Sequence, residues 1–159
     1  MILRNYLYTA CILCFLFSCS GNPKPIGDFS VQVESWSMFG KAITSVAGDK
    51  ITVTWEEATD SFPGTHTASF PLTDIHLRDI LRALGKIDCD TLQENYVNHN
   101  SLDDALEFVF RFRIDGKEKV THIYMTKVEP VFQFTAAVNR ALPDTLQIPY
   151  NEHYLLEGD

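Results

Sequence analysis

The strongest constraint on the fold is an alternation of apolar and mostly polar residues from Leu106 to Ile114. Every second residue is large and apolar, and Glu107 and Arg111 lie among the residues between them. A period of two is typical of a strand that buries one face and exposes the other. Asp115-Gly116 follows and suits a type I′ hairpin turn, so a returning strand is predicted over residues 119 to 126.

A second hairpin is predicted nearer the amino end. Residues 42 to 47 and 51 to 57 flank Gly48-Asp49, where glycine can take the positive φ of a type II′ turn. Along one face of this hairpin, the register pairs Val46 with Ile51, Thr44 with Val53 and Ala42 with Trp55. Residues 29 to 33 also alternate, which predicts a further strand before the hairpin.

Two segments show the apolar spacing of helices. The first runs from Leu77 to Ile87, with Thr73 or Asp74 as its N-cap. Glu129-Pro130 opens the second, and Pro143 ends it.

The order of these elements is strand, hairpin, helix, hairpin, helix, while residues 58 to 71 and 88 to 104 have the composition of loops. This order predicts a single α+β domain over residues 28 to 159, with an antiparallel sheet of about five strands and two helices on one face. Each half reads as a hairpin followed by a helix, which leaves a pseudo-repeat open, although the halves share no residue-level identity.

The amino end has the features of a secretory signal. Arg4 precedes an uncharged, largely apolar run from Leu7 to Phe17. At about 1.5 Å per residue, a helix over this run falls well short of a hydrocarbon core of about 30 Å. Residues 1 to 18 are therefore predicted to be a signal peptide, and a core helix that happens to contain cysteine is the alternative.

The end of this signal, Leu16-Phe17-Ser18-Cys19, resembles the lipobox of bacterial lipoproteins, and an ordinary secretory signal is the alternative. The resemblance implies cleavage before Cys19 and a diacylglycerol group on its thiol, with a further acyl chain such as palmitate. Lipid would then hold the chain to a membrane without a protein span. Ser20 follows the cysteine, which by the enterobacterial sorting rule favours the outer membrane but does not assign the side it faces.

Residues 19 to 27 contain two prolines and two glycines and are predicted to be a flexible tether. In outline, the domain beyond it resembles small uncharacterised envelope lipoproteins of Gram-negative bacteria. It is more loosely similar to the tandem sheet-and-helix inhibitors of periplasmic enzymes. Neither resemblance implies an active site.

The cysteines and the net charge limit which disulfides and which kinds of partner are expected. Cys11 and Cys14 lie inside the signal, so Cys89 is the one cysteine left besides Cys19, and no intramolecular disulfide is expected. Arg4 is the one basic residue before Cys19, so 12 of the 13 Lys and Arg remain against 21 acidic residues, a formal charge of −9. This charge argues against nucleic acid or anionic lipid as a partner.

Few residues suggest catalysis. The five histidines lack the spacing of a metal site, and no phosphate-binding or dinucleotide motif is present, so no metal or cofactor is expected. Asp60, Ser61 and His66 lie close together in one predicted loop and form the candidate set for an envelope hydrolase. The sequence favours a non-catalytic protein over this alternative.

Two short motifs resemble the Asp-Thr-apolar sequon for O-glycosylation in some periplasmic systems. They are Asp90-Thr91-Leu92 and Asp144-Thr145-Leu146, with Thr91 and Thr145 as acceptors. Simple turn chemistry, in which the aspartate caps the following turn, explains both motifs equally well.

The predicted 106–126 hairpin also presents one face opposite its phenylalanines. That candidate binding face consists of Glu107, Val109, Arg111, Arg113, Val120, His122 and Tyr124. Arg and Tyr are enriched where proteins bind one another, whereas a solvated face with cross-strand charge pairs is the simpler reading. The sequence thus predicts a lipid-anchored binding or accessory module that meets an envelope protein or glycan, with a hydrolase or a structural spacer without ligand as alternatives.

Overall fold

A computed structural model describes residues 26–37, 40–57, 64–98 and 106–152. These residues form an α+β fold with a seven-stranded mixed sheet and two helices. The strands are β1 (Phe29–Ser37), β2 (Gly40–Ala47), β3 (Lys50–Glu57), β4 (Gly64–Pro71), β5 (Asn95–Val97), β6 (Glu107–Ile114) and β7 (Lys117–Tyr124). The helices are α1 (Asp74–Leu84) and α2 (Glu129–Asn139), followed by a 3₁₀ turn at Asp144–Leu146.

The strand order across the sheet is β4-β3-β2-β1-β6-β7-β5. The first four strands form an antiparallel meander, and β6 returns to pair antiparallel with β1. The short β5 pairs parallel with β7 at the far edge. The two halves of the chain therefore meet in the middle of one sheet.

Both predicted hairpins are present with their predicted registers. Val46 pairs with Ile51 across the β2–β3 turn, where Gly48 has a φ of 57°. At the β6–β7 turn Asp115 and Gly116 have φ angles of 49° and 79°, the two positive values that a type I′ turn requires. Turn chemistry thus sets these two registers locally.

The core lies between one face of the sheet and both helices. Its largest stack is aromatic: the Phe110 and Phe112 rings are 5.8 Å apart between centroids, and Phe134 of α2 meets Phe112 edge-on at 6.0 Å. The fully buried helix residues Ile80, Leu84, Val131, Phe134 and Val138 belong to the same cluster as the inward-facing strand residues. Since both helices share this cluster, the opposite sheet face is left without a described helix.

The prediction of about five antiparallel strands was too low in number and wrong in direction for one strand. Residues 64 to 71 form β4 rather than a loop, and Asn95–Val97 form β5, which runs parallel to its neighbour. In β4, Thr65, Thr67 and Ser69 on one side alternate with small or aromatic residues, so hydrophobicity alone shows little period. β4 separates the first hairpin from the helix that follows it, whereas the second hairpin leads directly into its helix. The hairpin-and-helix pseudo-repeat therefore stays a prediction.

The first helix starts as predicted and ends early. Thr73 is the N-cap, and its Oγ1 accepts a hydrogen bond from the His76 backbone N–H at 3.3 Å. The helix stops at Leu84, with Gly85 as its C-cap, yet Ile87 is still buried in the core. The apolar spacing to Ile87 therefore reflected burial beyond the helix end.

The start of the fold is tied to the β6–β7 turn. Ile26 packs against the core, and the Gly27 backbone N–H donates to Asp115 Oδ1 at 2.8 Å. The same carboxylate accepts from the Asp28 N–H at 3.4 Å. The last two residues of the predicted tether thus contact the domain.

Tyr150 is a core residue that the sequence pattern does not reveal. Its side chain is 1% exposed and contacts the Phe108 and Phe110 rings at 5.2 and 5.6 Å between centroids. Its hydroxyl accepts from the Val128 N–H at 2.8 Å and donates to the Thr126 carbonyl at 3.0 Å. Burial raises the pKa of this phenol to about 12. Tyr150 therefore fastens the carboxyl-terminal segment to the segment that leads into α2.

Replacing Tyr150 by Phe should lower the free energy of unfolding by about 1–3 kcal/mol, because the buried Val128 N–H loses its acceptor. A raised folded pKa stabilises the fold below the pKa of the unfolded phenol, and that contribution is lost as pH rises from about 10 to about 12. Urea titrations across this range should show the free energy of unfolding of the wild type falling as the pH rises. Tyr150→Phe should lack this fall. Tyr96→Phe is the control, because the Gln93 N–H that its hydroxyl accepts from is exposed and water can replace that acceptor. Equal effects of the two changes would contradict this account.

Candidate functional site: the open face of the sheet

We call the sheet face opposite the helices the open face. It presents alternate side chains of the four central strands: Ser30, Gln32, Glu34 and Trp36 of β1; Lys41, Ile43, Ser45 and Ala47 of β2; Glu107, Val109, Arg111 and Arg113 of β6; Glu118, Val120, His122 and Tyr124 of β7. All seven residues of the sequence-predicted face lie on it, in the predicted cross-strand pairs. The structure adds β1 and β2, which the sequence did not connect to this hairpin.

An ion cluster lies at the centre of the open face. Glu34 accepts from Lys41 Nζ at 2.8 Å and from Arg111 Nε at 3.2 Å, and its side chain is 12% exposed. The hydrogen bond from Lys41, with that from Arg111, lowers the pKa of the Glu34 carboxyl against the opposing effect of burial. Glu34 therefore stays ionised and orients both cations on this face.

Exposed apolar side chains surround this cluster. Trp36 is 49% exposed, and Lys41 Nζ lies 4.6 Å from its ring centroid, within the range of a cation–π contact. Val97 and Val120 are also large exposed apolar residues. Aromatic residues and arginine are enriched at protein interfaces, so the combination of Trp36 with Arg111 resembles a protein-binding surface.

Two further charge contacts involve the predicted residues. His122 Nδ1 lies 3.1 Å from Glu107 Oε1 across β6 and β7, with both side chains about half exposed. Arg113 reaches Asp28 at 3.7 Å, and Asp28 is largely exposed. Exposed pairs of this kind contribute little to stability, so these groups can exchange partners at small cost.

A hollow of about 410 Å³ lies beside the ion cluster, toward the two glycine turns. We call it the arginine hollow. Ser30, Ser45 and Ala47 line it with small side chains, Arg111, Arg113 and Lys119 with basic ones, and Glu118 and Val120 line it as well. Guanidinium groups beside hydroxyls can bind a carboxylate with several hydrogen bonds. The hollow is thus suited to an acidic side chain of a partner.

The residues of the hydrolase alternative are only partly described. His66 lies on β4, not in a loop, and its ring stacks on Trp55 at 5.4 Å between centroids. Asp60 and Ser61 lie outside the described residues. Within the described ranges no group of three or more His, Cys, Asp or Glu residues could hold a metal ion. His66 therefore has a packing role in the described structure.

Both candidate glycosylation threonines lie on exposed turns. Thr91 follows α1, and its Oγ1 donates to the Asp88 carbonyl at 3.3 Å. Thr145 lies in the 3₁₀ turn, where the neighbouring Asp144 accepts from Gln147 Nε2 at 3.2 Å. The exposure of both threonines is compatible with O-glycosylation. Their hydrogen bonds are compatible with turn formation, so the structure favours neither interpretation over the other.

The Cys89 thiol is half-buried against the core. Burial raises its pKa, and the nearby carboxylates of Asp88 and Asp90 raise it further. The thiolate form that reacts with electrophiles and metals is thereby disfavoured. Cys89 acts as a small apolar packing residue.

Comparisons with known proteins add no family to this description. No protein-family model matches the chain, and neither does any curated protein. Among the residues that the structure describes, neither helix has the length and apolar character needed to cross a bilayer. Cys19 lies outside the described residues.

Replacing Glu34 by Gln should lower the free energy of unfolding by about 0.5–1 kcal/mol at neutral pH, because Lys41 and Arg111 lose an ionised partner. A lowered carboxyl pKa stabilises the fold above the ordinary value of 4.5, and this contribution is lost as pH falls through the folded pKa. Denaturant titrations should therefore show the two proteins converging in acid. The exposed Glu118→Gln is the control, and a difference that persists in acid would argue against this role of Glu34.

Proposed function

We propose that this chain is a lipid-anchored lipoprotein of the cell envelope and a non-catalytic accessory module whose open face binds another envelope protein. One observation carries the binding role: the half-exposed Trp36 lies on the open face together with the arginine hollow. Tryptophan and arginine are the residues that most often dominate binding energy at protein interfaces.

The charge of the face supports a protein partner with an acidic group. The chain has a formal net charge of −8, whereas Lys41, Arg111 and Arg113 on the open face balance Glu34, Glu107 and Glu118, so this face is formally neutral. Like-charged partners are disfavoured elsewhere on the surface, so an acidic partner would be directed to this side. Lys41 and Arg111 are already oriented by Glu34, which lowers the entropy cost of fixing them on binding.

The anchor is proposed from the amino-terminal sequence. The apolar run that ends on Leu16-Phe17-Ser18-Cys19, followed by a proline-rich tether, fits acylation of Cys19 and retention in the outer membrane. Each buried CH₂ of an acyl chain contributes about 0.8 kcal/mol, so two or three chains suffice for stable anchoring. The tether would let the folded domain reach a partner near the membrane surface.

Cys19→Ala should release the protein from membranes and abolish incorporation of labelled palmitate, because it removes the thiol that carries the diacylglycerol. The measurement is fractionation of cells expressing tagged full-length protein, with an alkaline wash of the membranes. Cys89→Ser is the matched control, since this thiol packs against the core and should leave anchoring unchanged. Membrane retention of labelled Cys19→Ala protein would contradict the anchor.

A photoreactive phenylalanine derivative placed at Val120 or Trp36 should crosslink to a protein in intact cells, because both side chains are exposed on the open face. The same derivative at Arg82, on the exposed side of α1, is the control. We expect adducts of one mass from the first two positions and none from the third. Equal adducts from all positions, or adducts resistant to protease, would contradict a protein partner at this face.

Charge reversal tests the role of the arginine hollow. Arg113→Glu should lower the yield of the Val120 adduct about tenfold, because an acidic partner group would then be repelled. Arg82→Glu changes the net charge equally on α1 and should leave the yield unchanged. If neither open-face position gives any adduct in anchored protein, the binding role of the open face is excluded.

A further inference from the structure

The outer edge of the sheet at β4 has the character of an unprotected pairing site. Gly64–Pro71 pairs with β3 through a continuous register without a bulge, and no strand among the described residues pairs with its other side. Exposed edge strands are usually shielded by lysines, internal prolines, bulges or short length. β4 has eight residues, no charged residue and no proline before Pro71, whereas the opposite edge strand β5 has only three residues.

The phase of the hydrogen bonds shows which backbone groups face outward. The Leu72 N–H donates to the Asp49 carbonyl at 2.7 Å, one step beyond the β3–β4 register. Because the groups of an antiparallel strand alternate in direction, Thr65, Thr67 and Ser69 point their backbone N–H and C=O groups away from β3. These three residues offer an array of donors and acceptors along the edge.

This outward array is self-complementary about Thr67. A two-fold axis perpendicular to the sheet at Thr67 would pair that residue with its own copy, and Thr65 with Ser69 of the other copy. Pro71 ends β4 in each copy and has no N–H to leave unpaired. The ladder would thus be bounded symmetrically at both ends.

Side chains and charge also suit a second copy. Thr67 Oγ1 lies 3.2 Å from Thr54 Oγ1, and Ser69 Oγ lies 3.2 Å from Thr52 Oγ1, so a row of hydroxyls already crosses β3 and β4 and would continue across the axis. Two copies of a chain with net charge −8 repel each other over most of their surface. The uncharged β4 edge is a place where they can meet without adjacent like charges.

We propose that the protein forms a two-fold homodimer in which β4 pairs antiparallel with β4 of a second copy, extending the two sheets into one. Phe70 of β4 is half-buried against the core, and Ile75 in the first turn of α1 is 63% exposed. This dimer does not depend on the proposed partner at the open face. An extended segment of a different protein is the competing occupant of this edge.

Engineered disulfides in the full-length chain test the pairing. Hydrogen-bonded antiparallel residues have Cα atoms about 5.5 Å apart, which lies within the range of a disulfide. Thr67→Cys should therefore form a covalent dimer in membranes under mild oxidation, in a Cys89→Ser background. Thr54→Cys on β3 is the control, because its copies would be separated by three strand spacings, about 14 Å.

The register gives a second, independent readout. Thr65→Cys and Ser69→Cys should each fail to crosslink alone, since each pairs with the other residue, but two differently tagged chains carrying one each should form a mixed dimer. We expect the Thr67→Cys dimer yield to exceed that of Thr54→Cys at least tenfold. Thr67→Lys should shift the full-length protein in detergent from the mass of two chains to that of one, whereas Thr54→Lys should not.

Several results would overturn this dimer. Equal crosslinking from Thr67→Cys and Thr54→Cys would indicate random collision. No crosslink from Thr67→Cys, together with none from the Thr65→Cys and Ser69→Cys mixture, would show that β4 does not pair with itself and would favour a foreign strand. Circular dichroism of each variant distinguishes these outcomes from a failure to fold.

Discussion

The antiparallel pairing of β1 with β6 is the constraint on which the rest of the structure depends. It joins the amino-terminal meander to the second hairpin through an unbroken register from Phe29–Ile114 to Trp36–Glu107. The paired segments are far apart in sequence, so closing this contact costs chain entropy before it contributes stability. A slip of one residue would turn Val31 and Val33 away from the phenylalanine row, because side chains alternate between faces. Burial of those valines therefore selects the register.

The same pairing also assembles the candidate site. Because core and open-face side chains alternate on β1 and β6, the register that buries Val33 against Phe110 also places Glu34 next to Val109 and within reach of Arg111. The ion cluster and the arginine hollow both span the junction of the two halves. Their geometry is thus a consequence of core packing, and a change that shifted the core register would disassemble the face.

The sequence predicts what is encoded locally. Turn residues and period-two alternation predicted both hairpins, and the seven residues of the predicted binding face followed from one turn. The contribution of Glu34 and Lys41 could not be predicted, because it arises from the pairing of strands distant in sequence. Strand β4 was missed for a different reason: its exposed edge position needs no apolar face, so composition resembles a loop.

The carboxyl-terminal segment shows a further limit of predicting core residues from hydrophobic periodicity. Tyr150 lies outside any helix or strand, so no spacing identifies it, yet it packs against the phenylalanine row and caps two backbone groups. A single buried aromatic residue with a polar end can fasten an irregular segment, because the ring fills the core while the hydroxyl satisfies groups that no regular structure pairs. Such residues are recognised only once the fold places them.

The two proposals concern different parts of one sheet and are geometrically compatible. A two-fold axis perpendicular to the sheet keeps equivalent faces on the same side, so pairing through β4 would leave both open faces uncovered and directed the same way. A partner with two binding sites could then engage both, and linking the sites raises avidity without any new contact. The position of β4 at the edge, with three strands between it and β6, is what lets the sheet associate without blocking its central face.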